Sequence, residues 1–424
     1  MRRNKSETFF LLTKPDFFSI INMIIEKTLP QNLMIQSTLK NKKFSLQFLP
    51  EKLETLSKIK KTKFKEKILK STYIIDIVHN LILKYYFRRE NSFTLNATIL
   101  KEKYGHLYNY YIQFLVDNNI LELQKNYLKG KNSRIYSLNQ DILNGNINRF
   151  RNTDKFLLKK YINRYYQFEI DKNDLIDKSI KDKLILDLYS VKIQYDKSIF
   201  YLEHLKNDDI SIYNRNRYSV DSINEEHIFY HFDHFGRMHS NYTILKTFIR
   251  KNCLLIDGEE TCEIDISNSQ PLFLSKLLKE SHWVKKDELE LFSILVRNGN
   301  YYQYLIDNLN LENKSEAKEM TYKVLFGKNH NNSKWDNFFK LLFPTIHHFI
   351  KLYKKEHNDY KVLAYTLQRM ESKLIFGDVI KTIMIVNPDI KIITVHDSII
   401  VQTKYKDFVN SVFNSKIYDN FDKE

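Results

Sequence analysis

Hydrophobic residues along this chain follow two periods, and the switches between them mark its elements. Ile74, Ile75, Val78, Leu81, Ile82 and Tyr85 recur at helical spacing after Ser71. Asn96 to Tyr104 reads as a second, shorter helix, and Leu107 to Asn118 as a third with Tyr111, Phe114 and Leu115 on one face. Alternation takes over in Ile120-Leu121-Glu122-Leu123. Lys125 to Ser133, with Gly130 as the turn, then leads into Arg134 to Leu138, which predicts a hairpin with a basic tip. Further on, Thr261 to Ile264 is strand-like, ends on Asp265 and precedes the helical run Pro271 to Leu278. Val362 to Val386 is strongly periodic and stops at Asn387-Pro388. Ile390 to Val395 and Ile399 to Val401 are β-branched runs around His396-Asp397-Ser398, the pattern of a hairpin with a carboxylate at its tip.

These elements predict an α+β chain, mostly helical, with a small antiparallel sheet. Four segments follow: 1–70, basic and helical; 71–145; 146–228, polar and helical; and 229–424, which carries the chemistry. Three helices and a hairpin in 71–145 resemble a winged helix, whose third helix and wing usually meet nucleic acid; a purely structural three-helix module fits the same pattern. Only 8 Gly and 6 Pro occur, with no Pro between Pro50 and Pro271, so long helices with few irregular loops are expected.

Charge narrows the partners. A net charge of +16, from 67 basic and 51 acidic residues, favours a polyanion, with nucleic acid first and a merely soluble basic protein as the bland reading. The run Lys58 to Lys65 reads as a solvated cationic face, with phosphate contact as the sharper alternative. Tyr161, Tyr165, Tyr166 and Phe168 lie among basic residues; such stripes are usually core, and base stacking is the functional alternative. Cys253 and Cys262 suggest no disulfide framework and fit a reducing, intracellular setting, cytoplasmic or, on an organellar element, mitochondrial. The basic start Met1 to Lys5 could open a targeting peptide, against which Glu7 and Asp16 argue. Phe17 to Ile25 is interrupted by Ser19 and Asn22 and is too short to cross a bilayer, so no membrane partner is expected.

The candidate chemistry sits on Asp265 and Asp397. Each ends or bends a short β-branched run, where a strand would stop and present a carboxylate. A lone Asp before a helix is usually a cap, and a lone His-Asp reads as a histidine–carboxylate hydrogen-bonded pair or as a core histidine with a satisfied nitrogen. Two such aspartates brought side by side make a divalent-metal site, with the Ile266 carbonyl as another hard oxygen ligand. On a helix from Lys314 to Gly327, Lys314, Lys318, Tyr322 and Phe326 follow at successive i+4 steps and share a face. Two cations and two aromatics on one stripe suit a nucleoside triphosphate; taken in isolation, the helix reads as a surface helix with an aromatic end tucked into the core. Gly236 lets the chain turn, and Arg237 offers a fork of donors for a phosphate or base edge.

The ordered set Gly236-Arg237, Asp-x-Ser-x-x-Gln at 265–270, Lys-x3-Lys-x7-Phe-Gly at 314–327 and Val-His-Asp-Ser at 395–398 resembles the palm and fingers of family A DNA polymerases and of phage-type single-subunit RNA polymerases. The resemblance covers about residues 230–405 and makes 146–228 thumb-like. It implies that Asp265 and Asp397 bind two magnesium ions, with manganese as a substitute. It makes Lys318 the catalytic fingers lysine, and gives Lys314, Tyr322, Phe326 and Gln270 to the nucleotide and Arg237, His396 and Gln368 to nucleic acid. Gln270 stands where the DNA enzymes carry a glutamate that blocks a ribose 2′-hydroxyl and the RNA enzymes a glycine. Phe326 lacks the hydroxyl with which the RNA enzymes recognise ribose. His-Asp-Ser, and Asp-x-x-Gly-Arg at 233–237, are the RNA-enzyme forms. The expectation is therefore a monomeric DNA-directed DNA polymerase acting on primer–template and dNTPs, with replication accessory proteins as further partners. RNA synthesis, and a non-catalytic DNA-binding initiator with a degenerate palm, are the alternatives.

Overall fold

The computed structural model describes residues 42–127, 133–145, 147–161, 176–206, 208–329 and 333–421. Gly130, Tyr165, Tyr166, Phe168 and the first 41 residues of the basic N-terminal segment therefore lie outside the described residues. The fold is mostly helical α+β, 60% helix and 16% strand, so the strands form several small antiparallel sheets and a five-strand half-barrel.

The N-terminal elements run β1 (Ser45–Pro50), β2 (Lys61–Phe64), β3 (Lys67–Lys70), α1 (Ser71–Arg88), β4 (Phe93–Thr94), α2 (Ala97–Tyr104), α3 (Tyr108–Asp117), β5 (Leu121–Lys125), β6 (Ile135–Leu138) and β7 (Ile147–Asn152). Asn96 caps α2 by accepting from the Thr98 and Ile99 amides. The strands pair as β1-β7, β2-β3 and β4-β6-β5. Within residues 42–70, Glu51–Leu53 and Glu54–Ser57 are helical, whereas the strands Ser45–Pro50, Lys61–Phe64 and Lys67–Lys70 differ from the helical expectation. The lysine-rich run is a hairpin because its period is two: Leu69 and Phe64 turn inward while Lys61, Lys63 and Lys70 stay exposed.

One apolar core gathers residues between Phe48 and Leu157, built on the stripe Ile74, Ile75, Val78 and Ile82 of α1. Asp76 of α1 is fully buried within it and accepts from Gln47 (2.7 Å), Tyr104 (2.6 Å), Tyr161 (2.5 Å) and Lys103 (2.7 Å). A buried charge is tolerated only with such a complete set of partners. Tyr161 is accordingly a packing residue tied to Asp76, as the core reading has it.

A second core spans Ile176 to Phe421. Its elements include α4 (Lys178–Leu188), β8 (Val191–Ile193), α5 (Tyr195–Lys206), α6 (Ile210–Asn224), β9 (Tyr230–Phe232), β10 (Met238–Ser240), β11 (Leu254–Ile256), β12 (Glu259–Asp265), α7 (Ser269–Lys279), α8 (Tyr301–Leu309), α9 (Lys314–Phe326), α10 (Pro344–Glu356), α11 (Val362–Ser372), α12 (Lys381–Val386), β13 (Ile393–Val395), β14 (Ser398–Gln402) and α13 (Lys406–Phe421). Between α11 and α12 the helix is π-helical over Lys373–Ile380, where one continuous α-helix was expected. Helix α6 joins the two cores: Tyr218 lies against Phe48 at 4.2 Å between ring centroids, Asn214 donates to the Tyr86 hydroxyl at 2.8 Å, and Asp221 pairs with Arg149 at 3.1 Å.

The five-stranded sheet has the order β13-β14-β12-β11-β8, every pair antiparallel. Ile264, Ile393, Ile399 and Val401 bury against it. Helix α4 fixes the approach to β13: Lys183 donates to the Ile390 carbonyl (2.8 Å) and Asp187 accepts from the Ile392 amide (2.9 Å).

Lys354 of α10, only 2% exposed, reaches the C-terminal end of α9 and donates to the carbonyls of Val324 (2.9 Å) and Gly327 (2.8 Å). These are carbonyls that a helix end leaves without an intrahelical donor. Burial, then the neighbouring Lys351, lowers its pKa to about 8. Lys354→Met is expected to leave both carbonyls unsatisfied and to cost about 2 kcal/mol, read as a lower midpoint in denaturant unfolding.

Candidate active site

Strands β12 and β14 pair with Asp265 opposite Ser398, and β13 meets β14 with Val395 opposite that same Ser398. His396 and Asp397 are therefore the two-residue turn at one end of the sheet, and Asp397 directly precedes the residue facing Asp265. His396 takes a positive φ of 55°, which lets so short a turn close. Asp265 and His396 are exposed, Asp397 is half-buried, and Ile266 beside them buries its side chain in the core. Burial, then the Glu371 carboxylate and Asp265, push the Asp397 carboxyl up to about 6.

Glu371 is the charge that sequence reasoning did not single out. It is 1% exposed and accepts from Arg237 Nη2 (2.6 Å), Ser269 Oγ (2.7 Å) and Gln270 Nε2 (2.6 Å). Arg237 reaches it because the segment before it is a tight turn. The Asp233 carboxylate accepts the Phe235 and Arg237 amides at 2.9 Å, and Gly236 sits at φ 87°. A Cβ on Gly236 would lie 3.3 Å from the Ser372 Cβ, closer than ordinary packing, so glycine lets the turn press against α11. Asp233 also contacts His239 at 2.9 Å, and His239 lies edge-on to His396 with ring centroids 5.9 Å apart. Gln368 is half-buried one helical turn before Glu371. The buried Gln270 Oε1 and Arg237 Nε have no partner among the described residues.

Helix α9 presents Lys314, Lys318 and Tyr322 to solvent along one face, with Phe326 half-buried beyond them. Tyr322 and Phe326 stack at 5.6 Å and 12°. Tyr302 of α8, buried and unforeseen, connects this face to the aspartates. Its ring lies 5.9 Å from Lys314 Nζ and 5.8 Å from Lys318 Nζ, and its hydroxyl is hydrogen-bonded to Tyr322. Burial, then Asp397, raise the Tyr322 pKa, which puts its hydroxyl within the field of the turn. The structure thus gathers Asp265, Asp397, His396, Arg237, Gln270 and Tyr322 around Glu371, with the two lysines one aromatic ring away.

Among the described residues no group of three or more His, Cys, Asp and Glu side chains is placed to hold a metal ion. Two carboxylates at one sheet end remain. They are hard oxygen donors of the kind magnesium takes in ones and twos, completing its shell with water and phosphate. The two carboxylates therefore fit a hard cation such as magnesium. Neither Glu371 nor Tyr302 carries a motif of its own; Glu371 was legible only as a polar residue on the periodic helix 362–386. No protein-family model and no curated protein matches the chain.

The raised Asp397 pKa has a sign that can be measured. The folded protein binds this proton more tightly than the unfolded chain. The associated stability is complete below about pH 4 and is lost as pH rises through about 6. The D397N variant lacks that loss. Above pH 6, without divalent cations, it is expected to melt higher than the parent, by about 1 kcal/mol after allowing for partial exposure. The gap should close at about pH 4.

Proposed function

We propose that the chain is a template-directed nucleotidyl transferase, a DNA-directed DNA polymerase that adds dNTPs to a primer 3′-hydroxyl. The observation that supports it most is the juxtaposition of Asp265 and Asp397 at one sheet end, beside the exposed Lys314–Lys318–Tyr322 face of α9. In this reading the five-stranded sheet is the palm and α9 belongs to the fingers. The N-terminal helices with the β4-β6-β5 sheet are a winged-helix-like module.

Asp265 and Asp397 would hold two magnesium ions, with the Ile266 carbonyl as a further ligand. Such ions, when bound, lower the pKa of the attacking hydroxyl and stabilise charge on the leaving pyrophosphate. The protein's own groups do the rest. Lys318 and Lys314 lie along the triphosphate and neutralise its charge as it builds up. Tyr322 and Phe326 offer stacked rings to the base and sugar. Arg237, fixed by Glu371 through Nη2, would meet the nucleic acid together with His396 and Gln368. A site fixed in advance by the Glu371 hydrogen bonds needs little rearrangement when charge develops.

RNA synthesis is the second reading, carried by His396-Asp397-Ser398 and by Asp233, Gly236 and Arg237 in their RNA-enzyme spacing, and Gln270 argues against it. The side chain is 7% exposed and its amide is tied to Glu371, so it makes a recessed wall against a 2′-hydroxyl.

Primer extension with dNTPs or NTPs, with and without template, tests both. D265N and D397N should each lower incorporation on the order of a thousandfold or more while leaving nucleic-acid binding largely intact. Activity equal to the parent in either variant would remove the assignment. Gln270→Gly should increase ribonucleotide use if Gln270 gates the sugar, and unchanged selectivity would count against the gate.

A further inference from the structure

We propose that the N-terminal lobe contacts the phosphate backbone of duplex DNA through the β2–β3 hairpin and not through its third helix. The third helix of a helix–helix–helix–hairpin module is the usual reading element, but α3 is poorly suited to that task. Its sequence, Tyr108 to Asp117, contains no Lys or Arg and ends in an acid. The β2–β3 hairpin packs along it: Phe64 meets Phe114 edge-on at 5.4 Å, Lys65 pairs with Asp117 at 3.6 Å, and the Lys70 amide donates to the Tyr111 hydroxyl at 3.1 Å. What α3 leaves open to water is Asn109, Gln113 and Asp117, and Gln113 donates to Asp117 at 2.5 Å.

The hairpin has the opposite character. In its register Lys61 faces Lys70 and Lys63 faces Ile68, so these four share the outer face, while Leu69 and Phe64 turn to the core. Ile68 stands 63% exposed among the lysines. Lys60 and Lys67 extend the charge at the base and the tip. Lysines two apart on one strand are separated by roughly 6.6 Å, a spacing a phosphate backbone can match. The outer face carries no aromatic ring on which an unpaired base could stack, and single-strand binders rely on such rings. A surface of this make reads charge and not sequence, which is the duplex-backbone mode.

The test is binding of the full chain to a duplex DNA of scrambled sequence, by fluorescence anisotropy across a salt series without nucleotide. The triple variant Lys60→Gln, Lys61→Gln, Lys63→Gln should weaken binding roughly tenfold or more at low salt. It should also flatten the plot of log affinity against log salt by about 2.7, three contacts at about 0.9 each. The triple arginine counterpart should keep the parent slope. A double variant of α3, Asn109→Ala with Gln113→Ala, should bind like the parent. Circular dichroism melts of every variant check that the fold is kept. An unchanged slope in the glutamine variant would overturn the proposal, as would a loss confined to the α3 variant. So would an equal loss in a control that neutralises three exposed lysines of the other lobe, Lys251, Lys340 and Lys361. A hairpin-dependent preference for single-stranded DNA or for anionic phospholipid vesicles over duplex would overturn it too. Because nucleotide addition is not measured, the outcome is independent of whether the chain polymerises.

Discussion

The pairing of β12 with β14 is the constraint on which the site depends. Five residue pairs, Thr261–Asp265 against Ser398–Gln402, fix Asp265 opposite Ser398 and leave Asp397 one step beyond the ladder. Strand side chains alternate with a period of two, so a slip of one residue would turn Ile264 outward and carry the Asp265 carboxylate to the other face of the sheet. The apolar residues on the inner face therefore do more than stabilise. By holding register, Ile264, Ile399 and Val401 determine where two acids end up. The Lys183 and Asp187 contacts to the chain before β13 act on the same problem from outside the sheet, because they set how β13 enters it.

Bringing carboxylates together has a cost, and the arrangement around Glu371 limits it. Burial, and after it the neighbouring Glu371 and Asp265 carboxylates, raises the Asp397 pKa. Buried Glu371 is met by an arginine, a hydroxyl and an amide, the set of donors a desolvated carboxyl group requires. Those partners come from two stretches, the turn at 236–237 and the first turn of α7, both far in sequence from Glu371 at the end of α11. One buried charge thereby joins the segments that the sequence motifs single out separately.

Much of this was legible in the amino-acid order. Helices α1, α2 and α3, the β5–β6 hairpin and the strand–turn–strand around Asp397 lie where periodicity puts them, because each has an amphipathic face with little competing signal. The clear miss among the elements was the strands at 45–50 and 61–70. Lysine density suggested a solvated helix, whereas Thr62, Phe64 and Leu69 mark a two-residue period too brief to stand out against the charge. Within the site, exposed residues on motifs were visible and buried connectors were not. Tyr302 has only its place on α8, and Glu371 looks like any polar residue on a helix until its partners converge from distant positions. Long-range hydrogen bonds leave no local pattern, and that is the physical reason these residues went unread.

The π-helical stretch Lys373–Ile380 lets the region absorb a change of length. Each residue of an α-helix advances its face by about 100°, and the wider turns advance it by less, so the stretch holds an extra residue while Glu371 upstream keeps its phase with Ile383 downstream. Dropping a single residue there would let the segment tighten into ordinary α-helix with the far half close to its present phase. The same deletion in the flanking α-helix would turn the far half by about 100°, carrying buried Ile383 toward water and misaligning the lead-in to β13. In this part of the chain, a deletion re-aims a whole element or leaves it in place according to which turn loses the residue.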